Sequence, residues 1–120
     1  AAFGDIDGDG GIDVLVANRD AVPSLLHDVA PSRGHWLLVR VRDRHGRDAL
    51  GARLAITAAG RTLHRDVRTG YSYLAANDPR VHVGLGAATE VASIVVRWPG
   101  GTARLRDVTR WPWSWSTRAR

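Results

Sequence analysis

Apolar residues in this chain recur at every second position, in short runs broken by Gly, Pro and Asp. No stretch shows the three-and-four spacing of an amphipathic helix. In His35–Arg42, Leu37, Val39 and Val41 fall on one face, and Trp36, Leu38, Arg40 and Arg42 on the other. Residues 53–57 turn Leu54 and Ile56 inward, and Ala59-Gly60 makes a hairpin turn. Residues 61–68 then set Leu63 and Val67 against His64, Asp66 and Arg68. Val81, Val83 and Leu85 form a further apolar face, ended by Gly84-Leu85-Gly86. Val91–Trp98 presents Ile94, Val96 and Trp98 on one side, Pro99-Gly100-Gly101 reverses the chain, and residues 102–108 return as a strand. Short strands joined by Gly-rich turns predict an all-β domain of sandwich or barrel type over 35–108. Residues 30–34 (Ala-Pro-Ser-Arg-Gly) form a breaker-rich linker before it.

The first 29 residues carry a different pattern. Asp5-Ile6-Asp7-Gly8-Asp9-Gly10-Gly11-Ile12-Asp13 places carboxylates at positions 1, 3, 5 and 9 of one loop, with glycine at position 6. Alternate residues of a tightly curled loop can point at one centre, and four carboxylates so close repel unless a positive charge lies between them. Calcium takes six to eight oxygen ligands from such groups, from backbone carbonyls and from water. The spacing therefore predicts a Ca2+ loop with the side chains of Asp5, Asp7, Asp9 and Asp13 and the carbonyl of Gly11 as ligands. Magnesium suits it less, because it demands tighter octahedral geometry. The first half fits the EF-hand pattern, but the position of its bidentate Glu is Val16. Ile12, Val14 and Val16 alternate with Asp13, Leu15 and Ala17, which predicts a buried strand leaving the loop instead of a helix.

Two resemblances follow from these residues. The stretch Phe3-Gly4-Asp5-Ile6-Asp7-Gly8-Asp9-Gly10-Gly11-Ile12-Asp13-Val14-Leu15-Val16-Ala17-Asn18 resembles an FG-GAP/VCBS-type repeat, and Ser24-Leu25-Leu26-His27 is similar to its next strand. The resemblance implies that the calcium loop joins two strands of a β-propeller blade. Further on, five motifs occur in order: His35-Trp36-Leu37-Leu38-Val39-Arg40-Val41, Asp48-Ala49-Leu50-Gly51-Ala52-Arg53-Leu54, Gly70-Tyr71-Ser72-Tyr73-Leu74, His82-Val83-Gly84-Leu85-Gly86 and Val95-Val96-Arg97-Trp98-Pro99-Gly100-Gly101. Together they resemble the ASPIC/UnbV domain over about residues 34–108, a module that follows FG-GAP/VCBS repeats in proteins similar to cartilage acidic protein and in bacterial secreted repeat proteins. Where that family has polar residues after its Tyr-Leu, this chain has Ala75 and Ala76. The expected architecture is a partial β-propeller blade (1–29) followed by a small antiparallel β-sandwich-like domain. The Trp- and Arg-rich tail, 109–120, is expected to be disordered.

Composition sharpens the division. Net charge is +5, yet residues 1–28 hold six Asp and one Arg, while the remainder holds sixteen Arg and six acids. The chain splits into an acidic metal-loop unit and a basic unit. There is no Cys, which excludes disulfides and thiolate metal sites, and no Lys. With no Met and no signal peptide, and with a single repeat where a propeller needs several, the chain reads as a piece of a longer protein whose N-terminal blades are its first partners. No apolar run reaches membrane-spanning length.

Other chemistries are weaker. Arg40, Arg42, Arg44, Arg47, Arg65 and Arg68 with nearby aromatics could meet nucleic acid, but an alternating solvated face explains them, and no nucleic-acid motif is present. The five His residues lack metal-binding spacing, so His27, His35, His45, His64 and His82 read as structural. Ser72, His82 and Asp78 form no recognised nucleophile motif, and the chain is read as no enzyme. Trp36, Tyr71, Tyr73 and Trp98 offer a glycan-stacking surface, with a core role for the two Trp as the simpler account. The expectation is a secreted or cell-surface, calcium-binding interaction or adhesion module whose partner is an extracellular protein or glycan. The alternative is a carbohydrate-binding accessory module.

Overall fold

The computed structural model describes residues 1–31, 34–108 and 115–118, the last four and 103–108 as backbone only. Residues 32 and 33 of the linker, and 109–114, 119 and 120 of the predicted tail, lie outside the described residues. Ten strands follow in order: β1 (Ala2–Gly4), β2 (Asp13–Val16), β3 (Ser24–Leu26), β4 (His35–Arg42), β5 (Arg53–Ala58), β6 (Arg61–Asp66), β7 (Val81–Gly86), β8 (Val91–Trp98), β9 (Gly101–Val108) and β10 (Trp115–Arg118). Among the described residues there is no helix, and none long and apolar enough to cross a membrane.

The strands form three sheets, β1-β2-β3, β10-β4-β7 and β6-β5-β8-β9. Every pairing is antiparallel except β10 with β4, which runs parallel from Trp115↔Val39 to Arg118↔Arg42. Four residues of the tail, 115–118, form strand β10. Their Trp-Ser-Thr-Arg sequence has no apolar alternation to announce it.

Alternation decides the larger unit. Leu37, Val39 and Val41 of β4 and Val81 and Val83 of β7 share one core with Leu54, Ile56 and Ala58 of β5 and Val91, Ile94 and Val96 of β8. Two sheets therefore supply a single apolar interior, and loop residues Ala49, Ala52 and Val67 close its margins. The Ala59-Gly60 hairpin turn forms as expected, with φ of 46° and 72°. Positive φ at both central positions is the geometry that matches the strand twist of a two-residue hairpin.

Strand β4 departs from simple alternation, because Trp36 and Leu38 on its second face are also buried. The β1–β3 unit covers that face. Trp36 was expected in the core, but it lies under the acidic loop. Trp98 packs against the core as expected. Strand β2 is a correction to the sequence reading: it is central in its sheet, but its apolar residues are not buried. Leu15 is exposed and Val14 half-buried, while Asp13 at its start is only 1% exposed. A three-stranded sheet has no second layer of its own to bury its apolar residues.

Candidate metal centre

The loop between β1 and β2 is built on two carboxylates that fold it around themselves. Asp5 accepts the amides of Gly8 (2.8 Å) and Asp9 (3.1 Å) on Oδ1 and of Gly10 (3.0 Å) on Oδ2. Asp7 accepts the Asp9 amide at 3.2 Å, and Asp9 accepts the Gly11 amide at 2.8 Å. Such short-range carboxylate-to-amide bonds give the backbone an alternative to regular structure and curl it tightly. Asp13 closes the ring, accepting the Ile6 amide on Oδ2 (3.0 Å) and the Asp28 amide on Oδ1 (2.9 Å). The Ile6 and Asp28 amides hold the Asp13 carboxyl below the usual carboxylate range; burial opposes them and the His27 ring adds to them.

The predicted ligands come together in two overlapping groups. Carboxylate oxygens of Asp5, Asp7 and Asp13 lie within 4.8 Å of one another, and Asp7 and Asp9 form a second such group with a nitrogen of His27. Asp9 therefore stands with His27, apart from the Asp5–Asp13 side, and Gly11 joins the loop through its amide. Each carboxylate offers about four lone-pair sites. Asp5 and Asp13 each spend three on hydrogen bonds, so one direction on each remains for a cation. An all-oxygen set of three carboxylates suits a hard cation.

His27 is the residue that the sequence reading placed elsewhere. Its Nδ1 lies 2.9 Å from Asp13 Oδ1 and its Nε2 3.4 Å from Asp7 Oδ2. The β2–β3 register explains this: Val14 pairs with Leu26, which sets residue 27 opposite residue 13. Extending the expected hairpin by one residue would have located it, but loop spacing alone could not.

The larger unit holds this loop from below. His82 Nε2 donates to the Gly10 carbonyl at 2.9 Å, and the His82 ring stacks on Trp36 with centroids 5.7 Å apart. Gly10, at φ +88°, lies so close to that indole that a Cβ would come within 2.1 Å of Nε1. Nearby, the buried Asn77 side chain accepts the Phe3 amide (2.7 Å) and donates to the Thr69 carbonyl (2.9 Å). The Ser72 hydroxyl donates to the Ala1 carbonyl, and Phe3 stacks on Tyr71. A cleft of about 530 Å³ runs along this junction, lined among others by Phe3, Asp5, Leu38, Arg68, Tyr71 and Arg80.

The remaining candidates are dispersed. Ser72, Asp78 and His82 each bond elsewhere, Asp78 to Arg80 at 2.7 Å. Arg40 pairs with Asp48, Arg47 with Asp43, and Arg68 lies over the Tyr71 ring. Of the four aromatics considered for glycan stacking, Trp36 is covered, Trp98 packs on the core and Tyr71 is stacked; Tyr73 projects, 86% exposed.

Residues 42–111 match the family described as ASPIC and UnbV. The match begins at the last residue of β4 and takes in Tyr71, Ser72, Asn77 and His82, all of which touch the N-terminal unit. No curated protein matches the chain.

Proposed function

The chain belongs to the ASPIC and UnbV family, and from that footing we propose that it is a non-catalytic, calcium-binding interaction module of a secreted or cell-surface protein. Residues 1–29 are the end of a propeller-type blade, and 35–108 are a small β-sandwich-like domain seated against it. The observation that carries this reading is the cluster of Asp5, Asp7 and Asp13 oxygens within 4.8 Å. Calcium supplies the positive charge that offsets their repulsion, with Asp9 and the Gly11 carbonyl completing the protein's share of ligands. The exposed Leu15, Val22, Leu25, Leu26 and Val29 favour the blade assignment, because a blade packs its faces on neighbours. Interaction with an extracellular protein would then use surfaces of the domain turned away from the blade.

Calorimetric titration with calcium tests the reading. The wild type is expected to release or absorb heat saturably, and Asp7→Ala and Asp9→Ala to lose most of that signal. Absence of heat in the wild type, or identical heat in both variants, sinks it. The junction cleft, with Tyr71 and Arg68 on its rim, favours one second reading, a carbohydrate-binding accessory module. A glycan array on the calcium-loaded protein separates the two, because saccharide binding that disappears in Tyr71→Ala selects the accessory module.

A further inference from the structure

The acidic loop does not hold its shape from its own hydrogen bonds alone. The Gly10-Gly11 pair is the most permissive backbone in the segment. The Gly10 peptide is fixed at three places. Its amide donates to Asp5 Oδ2 at 3.0 Å, its carbonyl accepts from His82 Nε2 at 2.9 Å, and its Cα rests on the Trp36 indole. Two of these three supports come from strands β4 and β7, and the bond from His82 spans 72 residues of sequence.

From this we propose that Trp36 and His82 are positioning residues for the cation loop, so that calcium binding at the loop and docking of the loop on the β4–β7 sheet are one coupled equilibrium. The proposal rests on the calcium reading given above. Fixing the Gly10 carbonyl sets the plane of the peptide that leads into Gly11, whose own carbonyl is the backbone ligand expected from the loop spacing. It also holds Asp5, which is tied to the Gly10 amide, on the same side as Asp7 and Asp13. An undocked loop must order the two glycines when the ion binds, and a docked loop has already done so. Linkage makes the effect reciprocal: whatever factor docking adds to cation affinity, the cation adds to docking. Strands β4 and β7 then act as a seat that presets the affinity of the loop preceding them, and the loop reports its occupancy to the domain through His82, inside the family match, and Trp36, just before it.

The test uses the full chain and calcium alone as probe. His82→Phe keeps a ring against Trp36 but removes the donor, and His82→Gln keeps a donor but removes the ring. Melting curves first establish that both variants fold; Trp36→Phe replaces either one that does not. Calcium affinity measured by calorimetry is expected to fall on the order of tenfold in His82→Phe, within the usual range of site-to-site coupling. His82→Gln is expected to recover much of it, a rescue that a purely structural role of the ring would not give. In the wild type, calcium is expected to shift the His82 ring resonances and to slow amide exchange at Gly10. Wild-type affinity in His82→Phe, with unmoved His82 resonances in the titrated wild type, overturns the coupling and leaves the calcium reading intact. No heat in the wild type overturns the calcium reading and the coupling with it.

Discussion

Gly10 shows at the scale of one residue why the loop reads the domain below it. At φ +88° any side chain is strained, and here a Cβ would also meet the Trp36 indole at 2.1 Å. Gly10→Ala combines both penalties and is expected to cost on the order of 3 kcal/mol of stability, measured by denaturant unfolding. Gly8, at φ +78°, has nothing within 4 Å of a built Cβ, so Gly8→Ala is expected to cost only about 1 kcal/mol. Depressed carboxylates set the acid limit of the larger unit, Asp43, Asp48 and Asp78 among them. Asp48 lies below the usual range because the Arg40 guanidinium hydrogen-bonds it at 2.7 and 3.0 Å, against the pull of burial. For Asp78, burial is the largest influence and raises it, but the hydrogen bonds and charge of Arg80 together win and lower it. Groups depressed in the folded state stabilise it fully above the ordinary carboxylate value of about 4, and that contribution is lost as pH falls through the lowered folded values. The melting temperature is therefore expected to hold level from neutral pH to about 5 and to drop below about 4. Asp48→Asn should lower the plateau and flatten that drop.

Among the elements, β5, β7 and β8 were legible because each buries apolar residues on one face, whereas β6 is mostly exposed. Leu54 and Ile56 of β5, and Ile94 and Val96 of β8, lie where period-two alternation puts them, all at 1% exposure or less. Ile56→Ala in that interior is expected to cost about 2–5 kcal/mol in chemical denaturation. The turn after β5 was legible too, from Ala59-Gly60, although Ala59 at φ 46° is an unusual occupant of the left-handed region. Ala59→Gly or Ala59→Asn is expected to raise stability by about 0.5–1 kcal/mol, seen as a higher melting temperature. What alternation could not convey was the second burial of β4. Trp36 and Leu38 fall on the face opposite Leu37 and Val39, and it is the acidic loop, seated through Gly10 on Trp36, that buries Trp36 on that face. His27 was missed for the same kind of reason, since it meets Asp13 through strand register. The loop itself was visible because its chemistry is local: Asp5, Asp7, Asp9 and Asp13 are neighbours in sequence before they are neighbours in space.

For the molecule as a whole, the dimensions of 48 × 35 × 21 Å describe an elongated body. Its radius of gyration of 15.4 Å exceeds the roughly 13.6 Å typical of a compact domain of this length. The β1–β3 unit carries much of the exposed apolar surface, including Ile6, Leu15, Val22, Leu25, Leu26 and Val29. Surface of that kind on an edge strand invites association. The chain is expected to self-associate with rising concentration in sedimentation experiments, and Leu25→Arg with Leu26→Arg to restore a monomer. Unchanged association in the double variant would place the sticky surface elsewhere, with Tyr73 and Leu74, 86% and 89% exposed, as the next candidates.

The seating of Gly10 on His82 also has a meaning in time. A ribosome adds about 5–20 residues each second, so the 72 residues between the two take roughly 4–14 s to make. Through that interval four carboxylates have been synthesised and the seat that shapes them has not. Strand β4 waits as well, because one of its neighbours is β7 and the other is β10. The nascent acidic segment thus spends seconds as an unseated polyanion, and whatever cations surround the emerging chain meet it first in that form.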